Sequence, residues 1–167
     1  RAQCLRRAAA ILRDQQDHYA KVMAQEMGKP IAQGRAEAEK CAWVCEHYAG
    51  HGADYLADEC IQTEDTEARV TFEPAGIVLA IMPWNYPFWQ VFRALAPALM
   101  AGNGMLLKHA SNVPECALSI EALLQQAGFP THLFRALLAS SQNTAVALVH
   151  PAVRAVTLTG SGPGGST

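Results

Sequence analysis

No long apolar run, no basic stripe and no C-x-x-C pair occurs in this sequence of 167 residues. Each absence excludes something. The apolar stretches are short and interrupted by Pro, Gly or charge, so neither a membrane span nor a secretion signal is expected. Thirteen basic side chains stand against fifteen acidic ones, and without a clustered basic face a nucleic-acid surface has little support. The five cysteines (Cys4, Cys41, Cys45, Cys60 and Cys116) are odd in number and form no paired framework, which points to reduced thiols and a soluble, cytoplasmic protein. Cys41 and Cys45 are one helical turn apart and could contribute to a metal site, although thiols on a buried helix face explain the spacing better. Charged residues make up only 17% of the chain and apolar ones half of it, enough to bury a core.

Turning to what is present, residues 3–27 repeat Leu5, Ala8, Ala9, Leu12, Tyr19, Val22, Met23 and Met27 at helical spacing. The pattern predicts one amphipathic helix, stopped by Gly28 and Pro30. A second helix is expected from Ile31 to Asp58, with Ala38, Cys41, Ala42, Cys45 and Tyr48 on its apolar stripe. Residues 61–75 are mostly polar, and Val70 and Phe72 alternate with Arg69 and Thr71, the pattern of an exposed strand or hairpin arm.

Beyond Gly76 the periodicity changes. Ile77 to Ile81 is continuously apolar, as in a strand buried on both faces. Helical sequence from Phe88 to Met100 leads to a second short strand, Met105 to Leu107. Asn112 and Glu115 then have the spacing of a capping box, with Pro114 in the first turn. Strands are further expected over Leu133–Ala139 and Val153–Leu158, around a helix over Gln142–Val149. Alternating strands and helices imply right-handed parallel crossovers, hence an α/β fold: a partial, doubly wound parallel sheet preceded by two long helices and a strand arm. The organisation expected is helices over 1–60, the arm over 61–75, a ligand-binding domain over 76–161, and a Gly/Ser-rich end over 162–167.

Ligands of open parallel sheets sit at the carboxyl ends of the strands. The first strand runs into Met82-Pro83-Trp84-Asn85-Tyr86-Pro87. An asparagine framed by prolines and aromatics is a candidate rigid amide donor for a developing oxyanion; equally, Asn85 could only close a turn. The second strand delivers Lys108-His109-Ala110-Ser111, in which an amine and a hydroxyl could grip a ribose or phosphate or could decorate a solvated strand end. The fourth delivers Thr159-Gly160-Ser161, where backbone N–H groups at a helix start could face a pyrophosphate. No clean G-x-G-x-x-G is present.

These segments together resemble the aldehyde dehydrogenase family. Pro83-Trp84-Asn85-Tyr86-Pro87, Lys108-His109-Ala110 and Thr157-Leu158-Thr159-Gly160-Ser161 are similar to the P-W-N-x-P, K-(P/H)-(S/A) and T-G-S motifs of that family. Glu26-Met27-Gly28-Lys29-Pro30 and Ala101-Gly102-Asn103 match two further recurrent segments. The run from Ile81 to Ala110 is most similar to the succinate-semialdehyde dehydrogenase branch.

The resemblance implies the Rossmann-like cofactor domain of an NAD(P)-dependent oxidoreductase, with a small aldehyde as substrate and a homodimeric or homotetrameric parent. It implies that Asn85 serves the oxyanion hole, while Ile81, Pro83 and Trp84 line the nicotinamide side. Lys108, with His109 and Ala110, holds the adenosine ribose, and Gly160 and Ser161 contact the pyrophosphate. Ser111 stands where many NAD-preferring relatives carry a glutamate, so NADP should be tolerated. No metal is implied. The family's cysteine nucleophile and water-activating glutamate lie beyond the T-G-S motif, and neither Cys nor Glu follows Ser161 here. The chain alone is therefore expected to be inactive, as the cofactor-side part of an enzyme. The alternatives are a non-catalytic dinucleotide-binding or oligomerisation remnant, and an acylating or phosphorylating relative.

Overall fold

The computed structural model describes residues 1–62 and 67–160. Helix α1 spans Ala2–Asp14 and buries Leu5, Ala8, Ala9 and Leu12; α2 spans Gln16–Met27 and buries Tyr19, Ala20, Val22 and Met23. The single helix expected over 3–27 is thus divided at Gln15 (φ −104°, ψ 19°). The polar run Asp14-Gln15-Gln16-Asp17 occupies the turn where the apolar stripe should continue, so little core contact holds that turn straight. Gly28 ends α2 at φ 72°, its N–H on the Ala24 carbonyl, the left-handed cap for which glycine carries no Cβ penalty.

Helix α3, Ile31–Tyr55, is three residues shorter than expected and lies across both earlier helices. At its start Gly34 passes Ala20 so closely that a Cβ would sit 2.8 Å from the Ala20 Cα. The arm is an antiparallel hairpin of β1 (Glu59–Gln62) and β2 (Glu67–Val70), exposed along its length.

The sheet consists of β3 (Ile77–Met82), β4 (Gly104–His109), β5 (Phe134–Ala136) and β6 (Val153–Leu158), all parallel, in the order β5-β4-β3-β6. Helices α4 (Trp89–Met100) and α5 (Pro114–Gln126) carry the first two crossovers, and α6 (Ser141–Leu148) the third. Because the chain reverses direction across the sheet after β5, right-handed crossovers put α4 and α5 on one face and α6 on the other. The core lies on the α4–α5 face, where Ala80, Met82, Leu95, Leu99, Leu107 and Ile120 pack in one cluster with Leu5, Leu12 and Met23 of the leading helices. The opposite face is sparsely covered. On it Leu79 is buried, but Ile77 and Ile81 are only half-buried, and Val156 and Leu158 are exposed. The expectation that β3 is buried on both faces holds at its centre, Leu79 and Ala80, and not at Ile77 and Ile81.

Two boundaries shift in ways that matter for the site. Strand β4 continues through Lys108 and His109, which are ladder residues opposite Ile81 and Met82 rather than loop residues. Helix α5 makes no capping box: it starts at Pro114 behind Val113, with no local side-chain cap. Its free N–H groups are met from a distance, as Glu115 and Cys116 donate to the Glu26 carboxylate at 2.7 and 2.8 Å. Strand β5 is shorter than expected, because after Ala136 the chain leaves the sheet edge.

Candidate functional site

The carboxyl ends of β3, β4 and β6 converge on one edge of the sheet. Past β3, the segment 83–87 crosses the edge before α4 begins. Pro83 is half-buried, Pro87 buried, and Trp84, Asn85 and Tyr86 are exposed. The Asn85 carboxamide is oriented locally: its Oδ1 accepts from the Tyr86 backbone N–H at 3.1 Å, and the side chain is exposed. Asn85 therefore closes a turn through its oxygen, which does not use its amide N–H groups, so the two readings left open by the sequence are compatible.

What holds this segment was not foreseen. Lys29 and Glu37 form an ion pair, each about 5% exposed or less. The Lys29 ammonium donates to the Asn85 carbonyl at 2.9 Å and lies 4.0 Å from the centre of the Tyr86 ring. Glu37 Oε1 accepts from the Phe88 and Trp89 N–H groups at 2.8 and 2.9 Å, capping α4. Every charge in the pair thus has polar partners, as burial requires; removing one partner of such a pair costs about 3–5 kcal/mol. A signal existed in the sequence, since Glu37 adjoins Ala38 and lies on the helix face that carries Gly34 and Cys41.

At the end of β4, the half-buried Lys108 donates to the His109 carbonyl at 2.7 Å. His109 is buried. Its Nε2 donates to the Pro87 carbonyl at 2.9 Å, and its Nδ1 accepts from the Ala110 N–H at 2.9 Å. Burial lowers its pKa below the usual value, and the neutral tautomer fits both bonds. Both ring nitrogens are committed to the backbone, so His109 joins the 83–87 segment to the end of β4. Neither ring nitrogen is left to bind a ligand in this arrangement.

Ala110 N–H donates to the Met82 carbonyl at 3.0 Å, and Ser111 is exposed. From Ser111 an open cleft of about 310 Å³ runs between His109, Ala110 and Pro114 on one side and Leu137, Leu138 and Ser140 on the other. No carboxylate lines it. Glu26 already occupies the N–H groups at the start of α5, and Lys108 is outside the lining, so of the predicted residues Ser111 offers this cleft its hydroxyl. A hydroxyl and the absence of negative charge suit a phosphorylated ribose, and Lys108 directly precedes the lining residue His109 in β4.

At the end of β6, Thr159 N–H donates to the Ile81 carbonyl at 3.0 Å, and its Oγ1 accepts from Arg93 Nη2 at 2.7 Å. Gly160 is exposed beyond it; Ser161 lies outside the described residues. Since β6 adjoins β3 while β4 lies on the other side, the gap between the ends of β3 and β6 is the topological switch point of the sheet.

No buried thiol is poised as a nucleophile. Burial pushes Cys116 upward first, with the neighbouring Glu26 adding to it, and Cys45 is pushed up to about 12 by burial. Among the described residues no group of three His, Cys, Asp or Glu side chains could hold a metal ion, and no helix is long and apolar enough to cross a membrane.

The model of the family described as "Aldehyde dehydrogenase family" matches residues 1–167. The chain belongs to the aldehyde dehydrogenase family. Among curated members, a Synechocystis protein named probable succinate-semialdehyde dehydrogenase (NADP+) is 50% identical over 167 residues, covering all of this chain and 37% of that protein. The succinate-semialdehyde dehydrogenase (NADP+) 1 of Mycobacterium bovis is 45% identical over 170 residues, again 37% of its length. The crystal structure of succinic semialdehyde dehydrogenase from Streptococcus pyogenes in complex with NADP+ superposes with a TM-score of 0.96 at 34% identity, over 99% of this chain and 36% of that one. The chain thus spans a little over a third of the aldehyde dehydrogenases it matches, and its α/β fold is theirs.

Proposed function

We propose that these residues are the cofactor side of an NADP+-dependent aldehyde dehydrogenase that oxidises a semialdehyde such as succinate semialdehyde to its acid. The observation that carries this reading is the exposed Asn85 carboxamide beyond the end of β3, its oxygen tied back to Tyr86 so that the N–H groups are not used there. It stands one strand away from β4, which carries Lys108 and leads into the uncharged cleft lined by Ser111. The names of the relatives support the substrate class and the cofactor.

NADP+, when bound, accepts the hydride. The protein's own groups then have separate tasks. Lys108 and Ser111 hold the phosphorylated adenosine ribose, the amine supplying charge and the hydroxyl a hydrogen bond without repelling the 2′-phosphate. Gly160 and Ser161 offer backbone N–H groups to the pyrophosphate. Ile81, Pro83 and Trp84 wall the nicotinamide side. Asn85 Nδ2–H stabilises the oxyanion formed when the family's thiolate adds to the aldehyde carbonyl. Such preorganised donors act at the developing charge with no reorganisation to complete first. The thiolate and the water-activating carboxylate belong to family segments beyond Ser161. The exposed β1–β2 hairpin serves subunit contact, since a two-stranded sheet is barely stable without a surface to pack on.

Titration of the protein expressed from its complete reading frame tests the reading. Lys108→Ala should weaken NADP+ binding by roughly tenfold or more, as for loss of a charge-assisted bond. Ser111→Glu should weaken NADP+ while sparing NAD+. Equal affinities for both nucleotides in all three proteins would remove Lys108 and Ser111 from the site.

A further inference from the structure

We propose that the buried Lys29–Glu37 pair is a positioning unit for the Asn85 carboxamide, setting where its N–H donors stand relative to the reacting oxygen. This rests on the reading of Asn85 as an oxyanion donor and goes beyond it, because neither Lys29 nor Glu37 touches a substrate.

Five contacts link the pair to the amide. Lys29 fixes the main chain of Asn85 by donating to its carbonyl, and fixes the next residue by holding its ammonium against the Tyr86 ring. The Tyr86 N–H in turn fixes the Asn85 side chain through Oδ1. Glu37 anchors the far end of the segment by capping α4 at Phe88 and Trp89. The ion pair ties these contacts together at a point shielded from solvent. Segment 83–87 itself is exposed over three successive residues and belongs to no regular element, so its own packing does not set the amide. The pair reaches it from the loop between α2 and α3 and from the second turn of α3. That linkage makes the leading helices part of the site's geometry rather than a cover for the sheet.

The test uses the complete protein and the double variant Lys29→Met, Glu37→Gln. The double variant leaves no unpaired buried charge, and the glutamine oxygen can still cap α4, so folding is preserved where Lys29→Ala alone could abolish it. Misplacement by about 1 Å at a reacting centre can cost on the order of a hundredfold. The expected result is a fall in kcat of about tenfold or more per folded site, with KM for NADP+ unchanged within about twofold. In an Asn85→Ala background the same double substitution should produce no further fall, because the group being positioned is gone. Independently of turnover, the Asn85 carboxamide cross-peaks of 15N-asparagine-labelled protein, identified by their loss in Asn85→Ala, should shift or broaden in the double variant.

Unmoved cross-peaks with an unchanged kcat would overturn the proposal, as would an equal loss of kcat in the presence and absence of Asn85. If Asn85→Ala itself leaves kcat intact, the oxyanion reading fails. The cross-peaks then still decide whether Lys29 and Glu37 position the amide.

Discussion

Replacing Glu26 by alanine strips the Glu115 and Cys116 N–H groups of the carboxylate that accepts from them at 2.7 and 2.8 Å. The loss resembles deletion of an N-cap, which costs about 1 kcal/mol, with about 0.3–1 kcal/mol more for the charge facing the helix N-terminus. Cys116 is fully buried, so water cannot easily replace the second bond, and the sum lies near 2 kcal/mol. At about 1.4 kcal/mol per decade this is roughly a thirtyfold rise in local opening of the first turn of α5. Hydrogen-exchange mass spectrometry on a peptide covering residues 113–120 reads that change directly, while a peptide from α1 serves as the remote control. Glu26→Gln keeps an acceptor and loses the charge, so it should show about half the effect in free energy. A change below about threefold at α5, or an equal change in α1, would refute the reasoning, since a cap acts on its own first turn.

Three further outcomes are expected. Thiol reagents at neutral pH should label Cys60 and then Cys4 in the native protein, leaving Cys41, Cys45 and Cys116 for the denatured state; at about 12 instead of 9.0, Cys45 has about a thousandfold less thiolate than an ordinary cysteine. Fast native labelling of Cys116 would contradict its burial. His109 is held neutral by desolvation, with Lys108 adding and Glu26 opposing, so the unfolded chain binds the proton more tightly. Its contribution to stability is full above the ordinary pKa of 6.5 and is lost as pH falls below it toward the lower folded value. Denaturant melts from pH 7.5 to 5 should show that slope, and His109→Gln should flatten it. Ile61 and Val70 lie on the same face of the hairpin, so Ile61→Asp with Val70→Asp should shift the complete protein to a smaller species in light scattering. An unchanged mass would take the arm out of subunit contact.

The fold was legible where one periodicity dominated. Val153–Leu158 was expected as a strand and is one; Gly28 was expected as a helix stop and takes the left-handed conformation. Boundaries failed where local pattern competed with tertiary contact. Asn112 and Glu115 have capping-box spacing, yet Pro114 sets the first turn and Glu26 reaches its N–H groups from α2. The apolar run suggested that β4 ends at Leu107, with Lys108 and His109 just past it, but the ladder with β3 carries both into the strand.

The sequence by itself determined the alternation of strands and helices, the strand ends that bear Asn85, Lys108 and Gly160, and the family. Those follow from short-range patterns of apolarity, Gly and Pro, which one strand or helix can express alone. Only the tertiary structure decided what the other motif residues do: Glu26 caps α5, Lys29 holds the Asn85 carbonyl, and Asn103 Oδ1 accepts from the Gly76 N–H at 3.1 Å. Each of these bonds joins residues at least 27 positions apart. A buried N–H or C=O takes whichever partner folding brings within reach, and no local spacing encodes which one that is.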